Sequence, residues 1–515
     1  MKPFRGDTLW AGLVLASLFL GTAAAAPEGA VPDSSTIYAK VRAADGIAPA
    51  NYREVIQAVQ SNGGTLVETR FVLGENYRSD AVTGTVETQT GKYKGDSWHQ
   101  NANGLTVVHE LPPGLATPDT FTTTVTAIDE PVTGYRIARL NVRGYGAVDY
   151  VNSKTWQIVR SESIGANGTS TTVYGARFAF GDVRAPKTWH VHNVSSGLDI
   201  DYTREAYEAG TVTDADVAIP PNRRRLVEFP PGVDSVALPT VFARSNHMYV
   251  RLMVEGRGYD FLLDSGASGI TVDPSAVAQM HLKTFDQMEN SANAGRIDTA
   301  TARIDTLSIG PLTMHDVIVS EVPMTENEAD VKGVGLLGFD FLAELGVAID
   351  YDHKTVTVHR YGTYSLPSDK TTNVIPIRLD TQQPSVTAKI NGALAERIVL
   401  DTGGFGPFLL FDYFTRRHPE ALVDKNAMGL RVRPMQLRGV GGIIGTRAYD
   451  LPEIDLGSVR YVDFIGWVVT SKSYGGNQDG LFGPDFLKVY DVFFDYPNGQ
   501  VALTLNATGR RAAGH

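Results

Sequence analysis

Phe261-Leu262-Leu263-Asp264-Ser265-Gly266-Ala267 returns later in the chain as Ile398-Val399-Leu400-Asp401-Thr402-Gly403-Gly404. Each copy is an apolar, strand-like run that delivers one aspartate into a turn of glycine and hydroxyl side chains. A single Asp-Ser-Gly is an ordinary turn. Two copies supply two carboxylates, and a facing pair is what general acid/base hydrolysis by water requires. The repeat continues downstream. Gly335-Leu336-Leu337-Gly338-Phe339-Asp340-Phe341-Leu342 matches Gly480-Leu481-Phe482-Gly483-Pro484-Asp485-Phe486-Leu487, and Ile349-Asp350-Tyr351-Asp352 matches Phe494-Asp495-Tyr496-Pro497. The offset is 401 − 264 = 137 at the aspartates and 483 − 338 = 145 at the glycines, as a loop insertion in the second copy would give. Ordered motifs at a nearly constant offset mark two related structural units.

The residue types suit the chemistry. Leu262, Leu263, Val399 and Leu400 are expected to be buried on both faces of a rigid strand, so that each aspartate emerges at a defined position. Gly266 and Gly403 permit a turn that other residues resist and leave room for another chain. Ser265 and Thr402 can hydrogen-bond across to the opposite turn. Two carboxyls about 3 Å apart cannot both ionise near neutral pH, so they share a proton and titrate as a pair. The ionised member takes a proton from a bound water while the protonated one donates to the scissile carbonyl. The roles then reverse to expel the amine. This chemistry calls for no metal, thiol or histidine, and no cofactor is expected.

Asp264-Ser265-Gly266-Ala267 and Asp401-Thr402-Gly403-Gly404, each followed by an apolar-apolar-Gly motif, resemble the retropepsin-like aspartic proteases. The resemblance covers about 234–508 and implies two pseudo-symmetric closed β lobes fused in one chain, lobe 1 at 234–362 and lobe 2 at 374–508. It implies Asp264 and Asp401 as the catalytic dyad. Ser265, Gly266, Ala267, Thr402, Gly403 and Gly404 would form the supporting loops, with Gly404 standing where alanine is usual. Leu336-Leu337-Gly338 and Leu481-Phe482-Gly483 would be packing strands behind them. The family also closes glycine-rich flaps over a substrate held as an extended strand. Gly439, Gly441, Gly442 and Gly445 resemble such a flap; the lobe 1 counterpart, Asn293-Ala294-Gly295-Arg296-Ile297, is poorer in glycine.

At 515 residues the chain is too long for one core. A net charge of −11 argues against a nucleic-acid partner. Lys2 and Arg5, the apolar stretch Trp10 to Leu20 and the small residues Thr22 to Ala26 read as a signal peptide over 1–26. No other segment is apolar enough to cross a membrane, so no stable membrane insertion is expected after cleavage. The absence of cysteine excludes disulfides, thiolate metal sites and a cysteine nucleophile. Together these features suggest a bacterial periplasmic or secreted protein. Oligomeric state is left open, a monomer being compatible with the two fused lobes.

Residues 27–224 read as an accessory antiparallel β domain. Tyr52 to Gln60 is expected as a short helix, followed by alternating stretches with turn punctuation, among them Thr65 to Leu73, Tyr135 to Val142 and Thr188 to Val194. Asn167-Gly168 suits a hairpin. Helix, long meander and then Asp214-Ala215-Asp216-Val217-Ala218-Ile219-Pro220-Pro221 together resemble the curved half-barrel of periplasmic lipoprotein carriers such as the LolA family. Ile219 to Val233, with four prolines around Arg223-Arg224-Arg225, reads as a linker. Asp340 and Asp485 are expected to cap short helices, and Asp350 and Asp495 to form turns. Gly333-Val334-Gly335-Leu336-Leu337-Gly338 fits a dinucleotide fingerprint, but its duplicate has Gln478 where Gly333 stands, and it is set aside. The sequence thus points to an exported aspartic endopeptidase. The alternative is a non-catalytic protein that binds peptides or lipoproteins through the inter-lobe cleft or the first domain.

Overall fold

The computed structural model describes residues 31–512 except 47, 62, 110–119, 142–143, 166–167, 182, 194–196, 293–294, 325–329, 368–370, 380, 425–435, 440–441 and 470–477. The expected signal segment, 1–26, lies outside the described residues. The fold is mainly β, as expected. The chain falls into two compact units: Trp98–Glu110 with Pro220–His515, and Lys2–Ser97 with Leu111–Ile219.

The second of these units is an antiparallel meander. Val86–Tyr93, Asn76–Thr83, Thr65–Leu73 and Asn51–Gln60 are successive neighbours. Asn51–Gln60 then pairs Leu198–Ala209, and the sheet continues through Thr188–Asn193, Gly168–Tyr174, Ile158–Gly165, Gly146–Asn152, Gly134–Asn141 and Phe121–Ile128. The segment Tyr52 to Gln60 is a strand, not the expected helix. Tyr52, Glu54, Ile56, Ala58 and Gln60 alternate onto one buried face, a period of two that β-branched Val55, Ile56 and Val59 support. The helix lies earlier, at Ser34–Asp45, where Asp33 caps Thr36 N–H and Ile37 and Val41 share one buried face. The Gly168 hairpin forms, closing at Gly165↔Gly168.

The other unit carries both sequence repeats. Each repeat closes a small β barrel. In lobe 1, Met248–Val254 pairs with Arg257–Leu263 on one side and with Gly295–Ile309 on the other. In lobe 2, Ser385–Ile390 pairs likewise with Ala393–Leu400 and Gly442–Leu456. A six-stranded sheet takes three strands from each repeat, in the order Ser235–Ala237, Thr355–Arg360, Leu345–Asp350, Tyr490–Asp495, Gln500–Leu505, Thr372–Pro376. At its centre Ala348 faces Phe493, while Gly346 faces Asp495 and Asp350 faces Asp491. The offset 493 − 348 = 145 equals that of the glycine motifs, so the pairing is symmetric about Ala348/Phe493. Such a self-complementary contact is what a two-fold axis between like units produces.

Two sequence boundaries shift. The hairpin Asp96–Gln100 to Thr106–His109 contributes Trp98–Glu110 to the unit that holds the lobes, where Leu105 and Val107 join its hydrophobic core. The proline-rich stretch is docked rather than a free linker. Leu226 and Val227 are buried in the same core, Arg223 Nε donates to Gln100 Oε1 at 2.7 Å, and Glu228 bridges Thr313.

Candidate active site

Each aspartate ends a buried strand that is held by a parallel neighbour. Phe261, Leu262 and Leu263 pair with Gly335, Leu336 and Leu337; Ile398, Val399 and Leu400 pair with Gly480, Leu481 and Phe482. The next amides continue the ladders, Asp264 N–H to Leu337 O at 3.1 Å and Asp401 N–H to Phe482 O at 2.9 Å. The glycines of the packing strands are required by space. A Cβ at Gly335 would stand 2.1 Å from Thr271 O, and one at Gly480 2.2 Å from Leu409 O. Gly338 and Gly483 lie equally close to carbonyls of the turns that follow the aspartates. The glycine pattern is therefore a packing device.

The two turns meet face to face within one chain. Ser265 Oγ donates to Leu400 O at 2.7 Å, and Thr402 Oγ1 donates to Leu263 O at 2.8 Å. Each hydroxyl also accepts: Ser265 N–H to Thr402 Oγ1 at 3.0 Å, and Thr402 N–H to Ser265 Oγ at 2.9 Å. These four buried bonds lock the strand ends together and pair both hydroxyls as donor and acceptor. Gly266 N–H bonds Asp264 Oδ1 at 2.8 Å, and Gly403 N–H bonds Asp401 Oδ1 at 2.9 Å. Neither glycine has positive φ. Their role is close approach: a Cβ at Gly266 would sit 2.5 Å from the Asp401 carboxyl carbon, and one at Gly403 2.4 Å from that of Asp264. Of the two expected roles, the special backbone conformation is absent and the close approach of the other chain segment is present.

Asp264 and Asp401 are hydrogen-bonded to each other. Burial first, then the neighbouring Asp401 charge, raises the Asp264 carboxyl well above the ordinary carboxylate value. Burial raises Asp401 as well, but Gly403 N–H, the bond from Asp264, the His247 charge and Gly404 N–H all oppose the rise. With both carboxyls raised and facing each other, the pair holds a proton in common and titrates as a unit. Tyr351 and Tyr496, which feel the dyad charge, are buried, and among the described residues neither hydroxyl has a hydrogen-bond partner. Burial first, then the Asp401 charge at Tyr351 and the charges of both aspartates at Tyr496, push the phenols up.

The flap candidates form hairpins in both lobes. Gln436–Gly439 pairs with Gly442–Leu456, with Gly439 opposite Gly442 and Gln436 opposite Gly445. Gly441 lies outside the described residues. The lobe 1 counterpart is longer, pairing Thr284–Ala292 with Gly295–Ile309 from Ala292↔Gly295 to Thr284↔Ala302. Fewer glycines therefore do not prevent the hairpin.

Asp340 and Asp485 do not cap. Gly338 and Gly483 occupy the cap positions of Phe339–Leu342 and Pro484–Leu487. Asp340 is buried and accepts from Asn101 Nδ2 at 2.7 Å, Asn103 Nδ2 at 3.0 Å and Ile270 N–H at 3.2 Å. Asp350 and Asp495 do hold turns, accepting from His353 N–H and Asn498 N–H.

Two residues near the dyad escaped the sequence reading. His247 Nε2 lies 2.8 Å from Gly404 O, its ring edge-on to Phe405, and Gln383 Nε2 donates to Gly266 O. No motif announces them; only the strand register reveals that they correspond.

A family model described as aspartyl protease matches residues 250–341, which span Asp264 and the lobe 1 glycine motif. No curated protein matches the chain. Solved structures that are similar include a DUF1329 family protein from Desulfovibrio piger, 12% identical, covering 36% of this chain and 96% of that one, TM-score 0.28. A putative outer membrane lipoprotein-sorting protein domain from Vibrio parahaemolyticus is 11% identical, covering 35% and 94%, TM-score 0.27. A LolA superfamily protein from Nitrosomonas europaea is 11% identical, covering 36% and 98%, TM-score 0.29. The chain therefore contains an aspartyl-protease-like region in lobe 1.

Proposed function

We propose that the protein is an exported aspartic endopeptidase in which Asp264 and Asp401 activate water against a peptide bond. The observation that carries this reading is the dyad: two buried, mutually bonded carboxyls on turns locked by reciprocal Ser265 and Thr402 bonds. Asp401, ionised, takes a proton from water; Asp264, protonated, donates to the carbonyl oxygen as the tetrahedral diol forms. Proton return to the nitrogen then expels the amine. The substrate would lie as an extended strand, bonded through its backbone. Among the described residues no helix is long and apolar enough to cross a membrane. Export rests on the reading of the N-terminal segment, and the site of action would be the periplasm or the exterior.

The test is incubation of the purified chain with an unfolded protein between pH 4 and 7, beside Asp264→Asn and Asp401→Asn. Each variant should lose at least about a thousandfold in rate, the upper range for a general acid or base. Cleavage that persists in either variant removes that aspartate from the mechanism. Binding of the same protein without cleavage at any pH would instead favour a peptide-binding role for the cleft.

A further inference from the structure

We propose that His247 and Gln383 are a pair of cross-lobe positioning residues, and that their chemical difference directs the negative charge of the dyad to Asp401. The inference rests on the peptidase reading for its catalytic meaning, although the charge placement can be measured without turnover.

The two residues are equivalent by register. Tyr249 faces Leu262, two residues before Asp264; Ser385 faces Val399, two residues before Asp401. Stepping back two residues along each first strand gives His247 and Gln383. Each reaches the dyad turn of the opposite lobe. Gln383 Nε2 donates to Gly266 O, and Gly266 N–H is the group that bonds Asp264. His247 sits against Gly404 O, and Gly404 N–H is one of the groups that bond Asp401. A carbonyl oxygen only accepts, so His247 Nε2 carries a hydrogen. In both lobes, then, one glycine is held at its carbonyl by the partner lobe while its amide cradles the carboxylate.

The struts differ in charge. An amide stays neutral, whereas an imidazole can become a cation in the physiological range. Among the described residues, the titratable groups that bear on Asp401 electrostatically include Asp264, His247, Tyr351 and Tyr496. Of these only His247 can be positive, and it stands on the Asp401 side. Two otherwise like lobes are thereby made unequal: Asp401 is favoured as the base and Asp264 as the acid.

The experiment uses the full chain with aspartate 13C-labelled at the side-chain carboxyl, followed by NMR across pH. The single-carboxyl variants Asp264→Asn and Asp401→Asn assign the dyad signals by disappearance. Adding His247→Gln to Asp264→Asn keeps an N–H donor and removes the charge; it should raise the Asp401 titration midpoint by about half a unit or more. The same substitution in Asp401→Asn should move Asp264 distinctly less. His247→Gln with Gln383→His should transfer the larger effect to Asp264. Equal shifts at both aspartates, or none in a variant that unfolds like its parent, overturn the proposal. If the expected shifts occur in a protein that cleaves nothing, the peptidase reading fails and the charge placement stands. In an active enzyme, His247→Gln should move the acid limb of the rate profile to higher pH.

Discussion

The two lobes are nearly identical where the carboxyls meet and differ one residue farther out. At the dyad turns the hydroxyl bonds, the amide cradles and the Cβ-forbidding contacts recur one for one. Behind them the solutions diverge. Lobe 1 places Tyr249 beside Gly333, where an added Cβ would stand 2.6 Å from the tyrosine ring. Lobe 2 places Ser385 and Gln478 at the same register positions, and Gln478 spends its amide on Gln383. The chemistry thus constrains atoms within hydrogen-bond reach of the carboxyls, while packing behind them need only fill space.

The strongest test of the shared part is Gly266→Ala and Gly403→Ala. The added methyl would overlap the opposite carboxyl group in each case. Both variants should lose about a hundredfold or more in peptide cleavage, the scale expected when a reacting group is displaced by an ångström. They should lose it to a similar degree, since the contact is reciprocal. A variant with full activity would show that the dyad tolerates separation.

The next comparison sets buried Asp340 against its duplicate. Asp485 is exposed and pairs with Lys488 at the surface, so Lys488→Ala should change stability by no more than about 1 kcal/mol. Asn103 is buried, and its side chain bonds Asp340 Oδ2 and Ile318 O as donor and Ile318 N–H as acceptor. Asn103→Ala should cost about 2–4 kcal/mol, because it leaves several buried polar atoms unpaired. The pH dependence has a definite sign. Burial raises the Asp340 carboxyl from 3.8 to about 6, against the pull of Ile270, Asn103 and Asn101. A raised acid binds its proton more tightly when folded. Its contribution is therefore greatest below 3.8 and is lost as pH rises to about 6. Asp340→Asn should abolish that fall in denaturation midpoints between pH 4 and 6, and Asn103→Ala should extend it upward.

How much of this was legible depended on whether the signal was local. The aspartate turns, the glycine motifs and the Asp350 and Asp495 turns were readable because each is a contiguous pattern that occurs twice. Helix and strand at Tyr52 to Gln60 were confused because Tyr-Arg-Glu-Val-Ile-Gln-Ala-Val fits either period, and the partner strand Leu198–Ala209 lies far away in sequence. Asp340 looked like a cap because its partners, Asn101 and Asn103, lie more than two hundred residues upstream. His247 and Gln383 were invisible for the same reason. A one-residue irregularity between Val386 and Ala388 further hides their equivalence, since 264 − 247 = 17 but 401 − 383 = 18.

The divergent packing offers a subtler break. Ser385→Tyr brings a ring into a lobe that has Gln478 in place of Gly333, and overpacking should cost about 1–3 kcal/mol. The double variant Ser385→Tyr with Gln478→Gly recreates the lobe 1 pair. It should recover a measurable part of the loss, which a double-mutant cycle by urea denaturation would read as coupling. Strictly additive effects would mean that the two positions do not share the space that the register assigns them.

The smallest expected effect concerns the last position of the dyad turns, where Gly404 stands in place of a residue like Ala267. A Cβ at Gly404 would stand 2.8 Å from Asp401 Oδ2 and 3.2 Å from the Leu481 side chain. The first of these is the end of a side chain that can rotate slightly, unlike the carbonyls that exclude a Cβ from Gly480. Gly404→Ala should therefore fold with a change under about 1.5 kcal/mol, yet displace Asp401 enough to lower cleavage several-fold. Ala267→Gly, which only removes a buried methyl, should cost about 1 kcal/mol and leave the rate nearly unchanged. The contrast between a rate effect in one turn and a stability effect in the other would place the functional asymmetry at Asp401. Equal behaviour of the two variants would show that the Asp401 contact at Gly404 carries no functional asymmetry.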